Sequence, residues 1–237
     1  MVDWSTPQAL PNGKVARRHQ GLEAMTDHPF DLTAELLSAG AVCLSPEKPF
    51  TWASGLKSPI YCDNRQLLGF PHVRTAVTDA LIAAIRSSEK QPTLVAGTST
   101  AGIPWATLVA EQLKLPLVYV RPEPKKHGMG RQVEGPIAEK HSVVLIEDLI
   151  STGGSSIKCV DALRSEGAEV IEILALFSYG LAKAEAAFEK SAVAWRVLAT
   201  FSDLLDKAVE TGAIDLSGQQ SLVSWRKDPQ AWSDLRS

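Results

Sequence analysis

The chain is poor in cysteine: Cys43, Cys62 and Cys159 are the three it holds in 237 residues. They are too few and too scattered for a disulfide framework or a zinc site, and they read as small buried or half-buried side chains. No apolar run approaches the roughly 18 residues that a membrane span needs. Arg17 and Arg18 are not followed by the apolar stretch of an export signal, so a reducing cytoplasm is the expected compartment. Neither sign of charge dominates, since 24 Lys and Arg face 27 Asp and Glu for a net charge of −3. That balance gives no global reason to bind nucleic acid or an acidic membrane, so any anion site must be built locally. Two nucleotide motifs are missing as well. The absence of GxxxxGK[ST] excludes a P-loop, and no strand leads into GxGxxG as a dinucleotide site would require. There are no internal repeats and no low-complexity tracts.

What is present is the profile of a folded protein, 45% hydrophobic and 22% charged. Residues 1–28 lack periodicity and read as an N-terminal extension to a domain spanning 29–237. Thr33 is placed to cap a short helix that carries Leu36 and Leu37 and ends at Gly40. Pro46, Pro49, Gly55 and Pro59 break residues 41–62 into short strands and turns. Val73, Ala76, Val77, Ala80, Leu81, Ala84 and Ile85 recur at helical spacing behind Pro71. Strands and helices then alternate. The pattern predicts strands at 93–97, 117–120, 142–146 and 169–177, with helices at 103–114 and 155–165. Further amphipathic stretches lie at 181–190 and 204–209, and Trp225 and Trp232 would dock on the domain or on a partner. Strands joined by helices imply an α/β fold, a central parallel sheet flanked by helices.

Residues 121–136 fit neither pattern. Three prolines and three glycines accompany Arg121, Lys125, Lys126, His127 and Arg131. A polar loop this long in a compact domain is more often functional than accidental. His19, His28, His72 and His141 read as surface residues without partners.

The densest signal runs from Val143 to Ser155. A buried strand delivers Glu147 and Asp148, then Leu149 and Ile150 lead into Ser151, Thr152, Gly153, Gly154 and Ser155 at the start of a helix. Backbone N–H groups at a helix N-terminus and the helix dipole favour an anion there. Gly153 and Gly154 let the backbone come close to a phosphate, and the hydroxyls add donors. The two carboxylates cannot touch that phosphate, because like charges repel. They suit hydroxyl groups or a divalent cation. A ribose 5-phosphate offers both halves: a phosphate for the turn and a diol for the acids.

This string resembles the phosphoribosyl pyrophosphate motif of type I phosphoribosyltransferases. Three more segments narrow the resemblance to the orotate phosphoribosyltransferases: Phe50 to Tyr61, Gly97 to Pro104, and Arg121 to Gly130 with Arg121, Lys125, His127 and Gly128 in register. Together they span about residues 30–180. The resemblance implies a type I phosphoribosyltransferase fold with a small hood from about 41–65 and a mobile loop over 121–136. It implies transfer of a phosphoribosyl group from phosphoribosyl pyrophosphate to orotate, giving orotidine 5′-monophosphate and pyrophosphate in pyrimidine biosynthesis. Mg²⁺, held mainly by substrate, and a homodimer that shares the loop across subunits belong to the same expectation. In these roles Glu147 and Asp148 hold the diol, and the 149–155 turn holds the 5′-phosphate. Lys125, foremost, with Arg121 and His127, donates to pyrophosphate oxygens as charge gathers there. Ser151 contacts orotate and Tyr61 covers the pyrimidine ring.

The sequence departs from the family's usual pattern at four places. Ala53, Ala101, Pro122 and Tyr179 stand where many relatives carry a basic residue, which makes Lys57 and Arg65 candidate replacements. Two other readings stay open: a sister phosphoribosyltransferase acting on a purine or uracil, and a non-catalytic sensor of phosphoribosyl pyrophosphate.

Overall fold

The computed structural model describes residues 30–52, 54–123 and 131–236. The extension at 1–28, Ala53, and Lys125, Lys126, His127 and Gly128 of the basic loop lie outside the described residues. Contacts divide the chain into Met1–Phe30 and Asp31–Ser237, and every described element lies in the second unit.

The first helix, α1 (Leu32–Ser38), starts two residues earlier than the sequence suggests. Asp31, not Thr33, is its cap: Asp31 Oδ1 accepts from the backbone N–H of Thr33 at 3.0 Å and of Ala34 at 3.2 Å. Thr33 sits in the first turn, and its hydroxyl also donates to Asp31. A carboxylate is the stronger acceptor for free helix N–H groups, so it takes the cap. Four short strands follow, β1 (Val42–Leu44), β2 (Phe50–Thr51), β3 (Lys57–Ser58) and β4 (Ile60–Cys62). β1 pairs with β4 and β2 with β3, both antiparallel. A tight 3₁₀ turn over Asn64–Gly69 leads to α2 (Pro71–Arg86), which buries Val73, Val77, Leu81 and Ile85 as its spacing predicts.

The alternating block then builds the main sheet. It runs β5 (Leu94–Thr98), α3 (Gly102–Leu113), β6 (Leu117–Val120), β7 (Val133–Glu134), β8 (Ser142–Ile150), α4 (Gly154–Ser165), β9 (Glu169–Ser178), α5 (Ala182–Lys190), β10 (Ala194–Thr200) and α6 (Phe201–Glu210). The strand order is β10-β9-β8-β5-β6-β7, parallel throughout except for β7 at one edge. The pattern predicts four of these six strands. β10 escapes it because its residues are mostly half-buried on an edge, so no clean apolar run marks them. β7 is two residues long and rests on β6. The third predicted strand is longer than expected: β8 continues through both acids to Ile150.

Alternate residues of β8 face opposite layers. Val144 and Ile146 join the core under α2, α3 and α6, whereas Val143 and Leu145 join the core under α4 and α5. The C-terminal helices α7 (Leu216–Lys227) and α8 (Pro229–Asp234) dock on the first of these layers. Trp225 is fully buried there, edge-on to Tyr179 at 5.5 Å. Two surface readings need correction. Cys43 is exposed rather than buried. His141 is not alone, since its Nδ1 lies 3.0 Å from the Thr93 hydroxyl.

Candidate active site

The site forms where open α/β sheets usually bind ligands, at the carboxyl ends of the strands. β5 ends in Thr98 and passes into the Ser99–Ala101 loop, whose Ser99–Thr100 peptide is cis. β8 ends beside it with Glu147 and Asp148. A cleft of about 400 Å³ is lined by the Thr98–Ala101 segment, by Glu147 to Leu149, and by Ser155 on α4. Gly102 makes this closeness possible. A Cβ there would collide with the Thr98 hydroxyl and lie 2.5 Å from the Ile146 carbonyl oxygen, so only glycine lets α3 start against both strands.

The structure treats the two acids differently. Glu147 is 5% exposed, on the side of β8 that faces α4. Its carboxylate accepts from the Thr98 hydroxyl at 2.6 Å, the Ser156 hydroxyl at 2.9 Å and the Asp148 N–H at 3.1 Å. Burial pushes its pKa up to about 8; the Thr98 hydrogen bond opposes that rise and the neighbouring Asp148 charge adds to it. Asp148 is half-buried, and its pKa is also raised, chiefly by burial. Its backbone carbonyl accepts from Asn64 Nδ2 at 2.6 Å. Asn64 is itself fully buried, so the 41–65 segment is pinned directly to the acid strand. Thr98, Ser156 and Asn64 are site residues that sequence reasoning missed. Thr98 stands inside a recognisable segment and Ser156 follows the turn directly, but nothing near Asn64 advertises its long-range bond.

Beyond the acids, Ile150 turns its side chain into the core, 1% exposed, and meets solvent-side chemistry only through its backbone. Gly153 caps α4 in the left-handed region at φ 75°, and no side chain caps the helix. A Cβ at Gly153 would press on the Phe188 ring at 3.0 Å. The first-turn N–H groups of α4 are thus left for an outside acceptor. The hydroxyls of Ser151, Thr152 and Ser155 make no hydrogen bond among the described residues.

The remaining candidates are more scattered. Arg121 stands at the root of the loop, its Nη1 3.4 Å from Glu134 and its carbonyl accepting from Gln132 Nε2 at 2.7 Å. Pro122, next to it, lines the cleft. Tyr61 is 45% exposed on β4 and lies 5.8 Å from the Phe50 ring, outside the cleft lining. Lys57 donates to the Thr51 hydroxyl at 2.9 Å, and Arg65 is held bidentate by Asp63 at 2.6 and 2.8 Å. Tyr179 is a core residue, stacked on Trp52 at 5.5 Å and 2% exposed.

A parallel sheet with an acid pair and an uncapped helix start at its carboxyl edge is the arrangement of a phosphoribosyltransferase. The model of the phosphoribosyl transferase domain matches residues 65–207. The orotate phosphoribosyltransferase of Cutibacterium acnes is 48% identical over 204 residues, 86% of this chain and 94% of that one. That of Bacillus caldolyticus is also 48% identical, over 85% of this chain and 98% of its own. The crystal structure of orotate phosphoribosyltransferase from Aeropyrum pernix superposes with a TM-score of 0.67 at 33% identity, covering 78% of this chain and all of that one. The chain belongs to the orotate phosphoribosyltransferase family.

Proposed function

We propose that the protein transfers the phosphoribosyl group of phosphoribosyl pyrophosphate to orotate, producing orotidine 5′-monophosphate and pyrophosphate. The observation that carries this reading is one cleft that joins the acid pair, the Ser99–Ala101 loop and the uncapped start of α4. The turn from Ser151 to Ser155 receives the 5′-phosphate. Asp148, the more open acid, takes the ribose diol, and Glu147 supports it from below. Breaking the anomeric bond builds positive charge on the ribose and negative charge on the diphosphate. The acids tolerate the first, while Arg121, Lys125 and His127 receive the second. Ser151 and Tyr61 are assigned to orotate. A loop rich in glycine and proline suits a lid that keeps water from the cationic centre.

Magnesium fits this donor set. Among the described residues no three His, Cys, Asp or Glu side chains gather as a cation cage. Mg²⁺ characteristically keeps several waters and binds through one or two carboxylates plus substrate phosphates, and Asp148 beside a diphosphate matches that habit. Bound there, it supplies neutralisation of the departing charge. No helix among the described residues is long and apolar enough to cross a membrane. A cytoplasmic homodimer with the 121–136 loop reaching the partner's site completes the proposal.

The test is a steady-state assay with magnesium, phosphoribosyl pyrophosphate and a panel of bases. Orotate absorbance should be lost only with all components present. Turnover of a purine or of uracil without turnover of orotate would reassign the substrate. Tight binding of phosphoribosyl pyrophosphate without pyrophosphate release would make the protein a sensor.

A further inference from the structure

Ala101 and Pro122 both line the cleft, and neither carries a charge. Arg121 is drawn toward Glu134, and Arg65 is held by Asp63. The cleft nevertheless has to receive a diphosphate next to two carboxyl groups. Among the described residues that line it, one cation stands: Lys158. It lies three residues beyond Ser155 on α4, and the i, i+3 relation sets both side chains on the same helix face, one turn apart. Across the cleft from them runs the Ser99–Ala101 loop. Lys158 makes no ion pair or hydrogen bond among the described residues, although Asp161 stands one turn further along the same helix. An ammonium group on the wall of a cleft with two acids, with no structural partner among the described residues, raises the affinity of that cleft for a polyanion.

We propose that Lys158 is a further substrate-binding residue, which pairs with the diphosphate of phosphoribosyl pyrophosphate on a cleft wall whose other described lining residues carry no positive charge. The assignment rests on the function proposed above. It also defines what Lys158 does not do: it stands on the phosphoribosyl side of the reaction and takes no part in recognising the base.

The experiment is steady-state kinetics on the full chain with magnesium, comparing wild type with Lys158→Ala, Lys158→Gln and Lys158→Arg. The KM for phosphoribosyl pyrophosphate should rise about tenfold in the Ala and Gln variants, the scale of one charge-assisted hydrogen bond. The KM for orotate should move less than about twofold and kcat little, because a contact made equally in ground and transition states changes KM alone. Arginine should restore most of the loss. Added sodium chloride should raise the wild-type KM more steeply than that of Lys158→Ala. An unchanged KM for phosphoribosyl pyrophosphate in both Ala and Gln variants overturns the proposal. So do equal rises for both substrates accompanied by a lower melting temperature, which would make Lys158 a structural residue. Should wild type turn over no base at all, the functional reading fails separately. Calorimetric titration of phosphoribosyl pyrophosphate into wild type and Lys158→Ala then still decides, equal affinity counting against Lys158.

Discussion

Glu147→Gln isolates the consequence of burying a carboxyl group without a cation. Glu172, the other buried acid among the described residues, is neutralised by Arg196 at 2.8 and 2.9 Å. Glu147 has only neutral donors and an acidic neighbour. Its pKa is therefore raised by burial from an ordinary value of 4.5 to about 8. In the window between those values the folded chain holds a proton that the unfolded chain has released. Stability of the ligand-free protein must then fall as pH rises from 4.5 toward 8, and it levels off above. Each pH unit is worth about 1.4 kcal/mol, so the loss amounts to a few kcal/mol. Glutamine carries no charge and keeps its contacts, because the Thr98 and Ser156 hydroxyls can accept as well as donate. The two proteins should melt alike near pH 5. At roughly 2–4 °C per kcal/mol for a chain of this size, wild type should fall about 10–20 °C below the variant by pH 9. Circular dichroism melts across that range, without phosphoribosyl pyrophosphate or magnesium, read this directly. Parallel melting profiles would mean that the carboxyl ionises without penalty, and the reasoning from burial would be wrong.

Four further outcomes follow from the site. Asn64→Ala should lower stability by about 1–3 kcal/mol, because it strips the Asp148 carbonyl of a buried donor; it should also raise the KM for phosphoribosyl pyrophosphate, and an unaltered denaturant midpoint would contradict the bond's importance. Gly102→Ala should destabilise by about 1–3 kcal/mol through overpacking against β5 and β8, visible as a lower urea midpoint. Lys125→Ala should reduce kcat by the equivalent of about 3–4 kcal/mol while leaving orotidine monophosphate affinity nearly intact; equal losses in both would recast the lysine as a ground-state contact. Mixing that variant with an Asp148→Ala chain should recover one working site per mixed dimer if the loop is shared, once subunit exchange is demonstrated.

Local pattern carried the α/β alternation well. Helix α2 declares itself by apolar spacing behind a proline, and β6 by four consecutive apolar residues between breakers. The Ser151–Ser155 turn is legible for the same reason: its glycines and hydroxyls and the acids before it are contiguous, so their chemistry is written in a single stretch. Edge elements were not legible. β10 is half-buried and β7 is two residues long, and their pairing depends on neighbours far away in the chain. Asp31 rather than Thr33 caps α1 because its carboxylate, the stronger acceptor, takes the Thr33 and Ala34 N–H groups and starts the helix earlier.

Sequence alone therefore determined the central alternation of strands and helices, the Ser151–Ser155 turn rich in glycine and hydroxyls, and the pair of adjacent carboxyls, all consequences of residues close together along the chain. Only the tertiary structure decided that one acid is buried under three donors while its neighbour stays open, that Asn64 pins a distant segment to the acid strand, and that Lys158 shares a cleft with the Ser99–Ala101 loop. Those outcomes come from strands and helices far apart in sequence packing against one another, and burial, which sets the charge on a carboxyl, exists only once that packing is complete.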